Sequence, residues 1–320
     1  MEGLLHQGDV AVVIVSWFSA SHVGDAVRSV PTGVKVVVVD NGSTDGSAEA
    51  ARSAGAVVIR NERNAGFGPA CNQGVRSSAA AGSRAVLFLN PDAALVDGRE
   101  GLARLLRELD ADPSVGAVAP ALSGDGQEEF QLRKLPTFGS FAREALLVNR
   151  LWRSNPWFRR ERYLDRRRSE AFDVEQPAAA ALLVRRDVFE EIGGFDENFL
   201  PAWFEDVDLA ARLLESGYRI RYVPSARATH VGGTAMRSLP YRDYLPLYTR
   251  NACRYLDRHA ALPVRLAVRG VLAAGALLRL ALLPVVRGDH GRTDAAAAYL
   301  RVAAGLLGFG WRSALLPRES

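Results

Sequence analysis

Acids, amides and glycines cluster in this chain where they could bind a nucleotide or move a proton. In VVVVDNGSTDGS (Val36 to Ser47) four valines lead into Asp40, Asn41, Gly42 and Ser43. A carboxylate at the carboxyl end of a strand can accept hydrogen bonds from a base or ribose, because open α/β sheets bind ligands along that edge. Asn41, Gly42 and Ser43 predict a tight turn before a helix N-terminus, a geometry that also favours anions. Ser16, closing VAVVIVS, is predicted to share the edge. NERNAGFGPACNQG (Asn61 to Gly74) then brings Asn64, Gly66 and Gly68 to a helix entry, where glycines let backbone approach a ligand closely. It is neither a dinucleotide nor a Walker A fingerprint.

Two further strings carry acids of a different kind. FLNPDAAL (Phe88 to Leu95) places Asp92 just past a strand, where a carboxylate can hold a hard divalent cation and so neutralise a departing nucleoside diphosphate. GGFDENFLPAWFEDVDLAARL (Gly193 to Leu213) sets Glu205 and Asp206 after Trp203 and Phe204, like a pocket wall. At a helix start the dipole and free amides favour the ionised form of Asp206, which can take a proton. His230, followed by Gly232 and Gly233, is placed for a metal ligand or a phosphate contact.

Buried strands must position these groups. Val10 to Ser16, Val34 to Asp40, Ala56 to Arg60, Ala85 to Asn90 and Val115 to Ala119 are short, β-branched apolar runs, the pattern of strands covered on both faces. Helical segments lie between most of them: Thr44 and Asp45 can cap one beginning near Ser47, and Leu102, Leu105, Leu106 and Leu109 form an amphipathic stripe. Ser123 to Gln176 loses periodicity and reads as a long insertion. Regular signal returns as a strand at Ala178 to Arg185, helices at Asp187 to Ile192 and Asp206 to Glu215, and a strand at Arg219 to Pro224. The expected class is α/β, a mostly parallel sheet between helices with a C-terminal helical extension.

The chain has 48% hydrophobic and 24% charged residues, which excludes collagenous and low-complexity classes. Its formal charge of +4 hides a polarity. Arg150 to Glu170 carries +5 and Arg250 to Ser320 carries +7, leaving −8 on the remainder. Such basic flanks suit an anionic partner, a membrane surface or a pyrophosphate, beside an acidic body. Leu262 to Val286 is the most hydrophobic stretch, but Arg265, Arg269 and Arg279 interrupt it and fall within roughly 80° on a helical wheel. That stripe suits a helix lying in a membrane interface with arginines reaching headgroups, or one packed on the catalytic body or in a homodimer. The Arg-rich stretches lack the interleaved aromatic platforms of a nucleic-acid binder. Cys71 and Cys253 offer neither a disulfide framework nor a metal spacing, and Met1 to Asp9 lacks a basic leader, so a cytoplasmic, reducing location is expected.

In this order, VAVVIVSWF, VVVVDNGSTDGS, NERNAGFGPACNQG, FLNPDA, GGFDENFLPAWFEDVDLAARL and YVPSARATHVGG resemble family 2 glycosyltransferases, inverting enzymes of the GT-A fold. NPWFRRERY, LLVRRDVFEEIGGFDE and FEDVDL look most like bacterial rhamnosyltransferases, which use dTDP-rhamnose and a polyprenyl-diphosphate-linked sugar. The resemblance implies a GT-A domain over residues 8–240, with a donor half to about 120 and an acceptor half beyond; the helical pattern after it is read as an extension over 241–320 that can associate with a membrane. It assigns Ser16, Asp40, Asn41, Ser43, Asn64 and Gly66 to the donor, Asp206 as catalytic base, and Glu205 and Trp203 to the acceptor. Asp92 matches the last acid of the family's DXD metal motif, with His230 as partner for Mg2+ or Mn2+, while Asn90 replaces the first acid. PAAAA (Pro177 to Ala181) is blander than the family's stretch beside the acceptor, and no QxxRW follows, against a processive synthase. Implied partners are a nucleotide-sugar donor, a lipid-linked saccharide and the inner face of a bacterial membrane. A UDP-sugar donor (galactosyl, galactofuranosyl or N-acetylglucosaminyl) and a non-catalytic nucleotide-sugar scaffold stay open; no Gly-rich loop with a partnering Lys supports a nucleotidyltransferase.

Overall fold

The computed structural model describes residues 6, 8–77, 79–124, 131–152, 154–232, 239–284, 291–308, 310 and 311. Two compact units divide the chain: Met1–Leu135 with Glu161–Ala235, and Pro136–Arg160 with Met236–Ser320. In chain order run β1 (Val10–Ser16), α1 (Val23–Ser29), β2 (Lys35–Asp40), α2 (Ser47–Ser53), β3 (Val57–Arg60), α3 (Phe67–Arg76), β4 (Ala85–Leu89), β5 (Ala93–Leu95), α4 (Gly98–Asp110), β6 (Val115–Ser123) and β7 (Leu132–Arg133). Next come α5 (Phe138–Ala145), α6 (Val148–Leu151), α7 (Pro156–Glu161), β8 (Phe172–Val174), β9 (Gln176–Pro177), β10 (Ala181–Arg185), α8 (Arg186–Glu191), α9 (Glu205–Glu215) and β11 (Arg219–His230). The last helices are α10 (Tyr241–His259), α11 (Leu262–Leu282) and α12 (Arg292–Leu306).

In the first unit nine described strands form one large sheet of order β3-β2-β1-β4-β10-β6-β11-β5, with β8 beside β11, and β7 pairs with β9 in a separate two-stranded sheet. β3, β2, β1 and β4 are mutually parallel, as are β6 and β11, whereas β10 runs antiparallel between β4 and β6. All seven residues of β1 are buried because both faces of the sheet are covered. Val10, Val12 and Ile14 pack toward the α4 leucines, and Ala11 and Val13 toward Cys71, Val75, Leu209 and Leu213 of α3 and α9.

Two strands outrun the sequence expectation. β6 continues past Ala119 to Ser123, and β11 past Pro224 to His230. Proline ordinarily ends a ladder, but the β6–β11 register shifts between Val223 and Arg227, so Pro224 sits in the irregularity. Beyond it, Ala228 to His230 pair with β5, an element absent from the sequence reading. The presumed insertion is ordered where described, supplying β7, β8 and α5 to α7, and its residues 136–160 group with the C-terminal helices.

In that second unit, Thr137 and Ser140 form a capping box that starts α5. Gly275 of α11 abuts α5, where a Cβ would lie 2.6 Å from the Ala145 carbonyl oxygen. Arg279 donates to the last carbonyls of α5, those of Glu144 (2.6 Å) and Ala145. Arg269 forms a bidentate pair with Asp257 at 2.8 and 2.9 Å, and Arg265 donates to the Asp257 carbonyl at 3.3 Å. The arginine stripe read as reaching headgroups is therefore held by protein groups; a wheel shows spacing along one helix but not the acid on the preceding one. No helix among the described residues is long and apolar enough to cross a membrane.

Asp208, one of the acids concentrated around α9, is structural. It is fully buried and pairs with Arg212 at 2.8 Å, while Arg212 also donates to the Ile192 carbonyl. Removing one partner strands a buried charge. Asp208→Ala is expected to lower unfolding free energy by about 3–5 kcal/mol in urea titration; a loss below about 1 kcal/mol, typical of exposed ion pairs, would contradict this burial.

Candidate active site

The carboxyl ends of β1 and β2 set two buried polar groups side by side. Ser16 and Asp40 are paired in register, and both are fully buried. Asp40 Oδ2 accepts from the Ser43 amide at 3.1 Å and lies 3.8 Å from Arg60 Nε. Asp40 Oδ1 and Ser16 Oγ have no hydrogen-bond partner. An unsatisfied buried polar atom costs roughly 1–3 kcal/mol, so this pair is poised to bond a ligand. Ser43 Oγ accepts from the Phe18 amide at 3.0 Å, which holds the turn beneath β1.

Asn41 and Asn64 instead organise the loop before α3. Asn41 donates to the Gly66 carbonyl (3.2 Å) and accepts from Asn61 (2.9 Å), while Asn64 accepts from the Gly66 amide at 2.8 Å. Gly66 has φ of +96°, and a Cβ there would lie 2.5 Å from a Leu200 methyl; at Gly68 it would lie 3.3 Å from Phe195. The close approach made by these glycines is to the Phe195–Pro201 segment, a protein neighbour where the sequence anticipates a ligand. Phe195 is anchored there by the Asn72 amide and by ring contacts with Phe67, Phe88 and Phe189.

Asp92 and His230 meet because β11 extends beyond its proline. His230 pairs with Ala93, and the Val231 amide donates to the Asp92 carbonyl at 3.0 Å. Asp92 Oδ1 lies 3.3 Å from His230 Nε2, which also lies 3.2 Å from Asn90 Nδ2. One carboxylate oxygen and one imidazole nitrogen fit a divalent cation, and no larger group of His, Cys, Asp and Glu suited to a metal occurs among the described residues. Gly232 is described, and Gly233 lies outside the described residues.

Asp206 stands at the second position of α9. Its Oδ1 accepts from the Val207 amide at 2.8 Å, its Oδ2 from Gln176 Nε2 at 3.1 Å, and the Ala179 amide also bonds it. One residue on, the Ala180 carbonyl accepts from the Asn90 amide at 2.9 Å. PAAAA thus ties the base candidate to the strand end bearing Asp92. Burial pushes the Asp206 pKa up, with the Arg133 charge pulling the other way. Burial, then the Asp206 charge, pushes neighbouring Glu205 well above the carboxylate range; its Oε2 is buried and unpartnered. Trp203 and Phe204, at φ of 70° and 71°, hold strained left-handed backbone just before the pair.

Arg60, Arg133 and Gln176 escaped the sequence reading. Arg60 ends a recognisable strand beside Asp40, and that position is its only local signal. Arg133 and Gln176 reach the site through the short β7–β9 pairing, which has no periodicity to read.

A mixed sheet with an acid-lined carboxyl edge and buried carboxylates entering α9 defines a GT-A sugar-transfer fold, and the chain belongs to glycosyl transferase family 2, whose family model matches residues 11–193. A model described as the N-terminal domain of galactosyltransferase matches residues 170–233. The N-acetylglucosaminyl-diphospho-decaprenol L-rhamnosyltransferase of Mycobacterium tuberculosis is 31% identical over 258 residues, 75% of this chain and 81% of that protein. The pre-mycofactocin glycosyltransferase of the same organism is 30% identical over 289 residues, 88% of this chain and 53% of that protein. The crystal structure of GalNAc-T7 with UDP, GalNAc and Mn2+ superposes with a TM-score of 0.53 at 18% identity, covering 76% of this chain and 47% of that one, a likeness of fold. The chain is a glycosyltransferase.

A raised carboxyl pKa in the folded state carries a stability signature. The contribution of Glu205 is complete below the ordinary glutamate range and is lost as pH rises through its higher folded value. Glu205→Gln cannot titrate, so it is expected to raise Tm relative to the parent by about 2–4 °C at about pH 8 and by almost nothing at about pH 4. A difference constant with pH would show that Glu205 is ionised in the fold.

Proposed function

We propose that this enzyme transfers L-rhamnose from dTDP-rhamnose to a hydroxyl of a lipid-diphosphate-linked saccharide, with inversion, at the inner face of a bacterial membrane. The observation that supports this reading is that the Ala180 carbonyl bonds the Asn90 amide, two residues before Asp92, while the adjacent Ala179 amide bonds Asp206. The choice of sugar and acceptor rests on the 31% identical mycobacterial relative.

In this mechanism the donor base bonds the unsatisfied Asp40 Oδ1 and Ser16 Oγ, while Asn41, Ser43, Asn64 and Gly66 shape the adjoining loops. Asp206 accepts the proton of the acceptor hydroxyl as its oxygen attacks the anomeric carbon opposite the departing nucleoside diphosphate. A single displacement inverts that centre. The raised proton affinity of Asp206 brings it closer to the operating pH, which favours proton transfer. Gln176 and the Ala179 and Val207 amides fix the carboxylate, and Trp203 and Glu205 border the acceptor. A divalent cation, Mg2+ or Mn2+, held by Asp92 and His230, would supply positive charge to the leaving diphosphate.

The match to a galactosyltransferase model over residues 170–233 favours a second reading, a UDP-galactose donor. Thermal shift with each nucleotide sugar separates the two, since a ligand of the native state raises Tm. dTDP-rhamnose is expected to give the larger rise, and a larger rise with UDP-galactose would reverse the assignment.

Asp206→Asn is expected to lower kcat by about 10²–10⁴-fold with dTDP affinity unchanged by calorimetry; near-parental turnover would remove Asp206 as base. In the parent, the acid limb of kcat/KM is expected above the free aspartate value of about 3.9. EDTA is expected to abolish transfer and weaken donor binding, with Mn2+ or Mg2+ restoring both. Undiminished activity in EDTA would leave neutralisation of the diphosphate to protein cations.

A further inference from the structure

The second unit displays large apolar side chains that its own core does not use. Leu151 is 82% exposed, and Trp152, Trp157, Leu146 and Phe138 are each between 45% and 50% exposed, all within twenty residues of chain. They are held in a defined arrangement. The Trp152 and Trp157 rings meet edge to face with centroids 5.9 Å apart, and the Arg143 guanidinium lies 5.8 Å from the Trp157 ring centre.

One fully buried side chain fixes that arrangement. Asn155 Nδ2 donates to the Trp152 carbonyl at 2.7 Å and to Asn149 Oδ1 at 3.1 Å, and its Oδ1 accepts from the Phe158 amide at 2.7 Å. The amide therefore locks the loop between the two tryptophans. Charge follows the same segment: residues 138–161 carry five arginines against two acids, Glu144 and Glu161, and Arg150, Arg159 and Arg160 are exposed.

We propose that α5 to α7 form a surface that docks on an anionic lipid bilayer, with Leu151, Trp152 and Trp157 in the headgroup layer and Arg150, Arg159 and Arg160 on lipid phosphates. Tryptophan with an apolar body and polar edge, beside arginine, is the composition of a membrane–water interface. Anionic lipid attracts each basic residue near its surface, whereas exposed apolar area of this size is costly in water alone. The site differs from the one read off the sequence. Arg265, Arg269 and Arg279 are turned to protein partners, and the basic and apolar groups displayed together lie before the C-terminal helices.

This surface takes its purpose from the lipid-linked acceptor reading, but its test does not need the acceptor. The full chain is sedimented with vesicles of phosphatidylcholine, alone or enriched in phosphatidylglycerol. Binding is expected only to the anionic vesicles and to weaken in high salt. Arg159→Gln with Arg160→Gln is expected to lower partitioning roughly 30-fold, and Trp152→Ser with Trp157→Ser about tenfold or more, both with unchanged dTDP binding and circular dichroism. Should the tryptophan variant misfold, the arginine variant decides alone. No parental binding to anionic vesicles, parental binding by the arginine variant, or a lipid-free dimer that the tryptophan substitutions convert to monomer would each overturn the proposal. Transfer to a short-chain, water-soluble acceptor is expected to survive in the arginine variant, so failure of the surface and failure of the acceptor reading give different results.

Discussion

Two backbone groups, the Ala179 amide and the Ala180 carbonyl, join the halves of the site. Ala180 bonds Asn90, at the end of the parallel half of the sheet, and Ala179 bonds Asp206, at the start of α9. Both bonds depend on β10 entering antiparallel between β4 and β6, because only that direction brings its leading segment to the carboxyl edge where β4 ends. Small side chains suit this position. Backbone carries the contacts. The blandness of PAAAA is in this sense part of the construction.

The same edge concentrates electrostatic cost. Asp40 Oδ1, Ser16 Oγ and Glu205 Oε2 are buried without partners, and two consecutive residues before α9 adopt left-handed backbone. Strain and unmet hydrogen bonds gather where a ligand would relieve them. Around them the fold is conventional, with both sheet faces covered and the Asp208–Arg212 pair closed within one helix.

What the sequence disclosed follows the range of the interactions involved. Ser16 and Asp40 end buried runs, Asp92 follows one after a short turn and Asp206 begins a helix, so local periodicity marks their places in the fold. Asp92 and His230 are paired in the sequence only through the family resemblance; no local pattern shows their meeting, since it requires β11 to pass a proline and pair with three residues of β5. Gly66 and Gly68 were readable as sites of close approach, while what approaches them comes from more than a hundred residues away. Arg133 and Gln176 lie on strands of two residues, too short for any pattern. The arginine stripe of α11 was drawn from true angles, but Asp257 on α10 was outside the wheel.

The second unit is assembled from two stretches of chain separated by residues 161–235 of the first unit. A ribosome therefore delivers α5 to α7 well before α11, whose Gly275 and Arg279 close over the end of α5. Domains generally fold as units during synthesis. Here the groups of α11 that support the end of α5 come from residues 275 and 279, which follow every described strand of the sheet in the chain. A chain cut near residue 240 would lose the support of α5 as well as its tail.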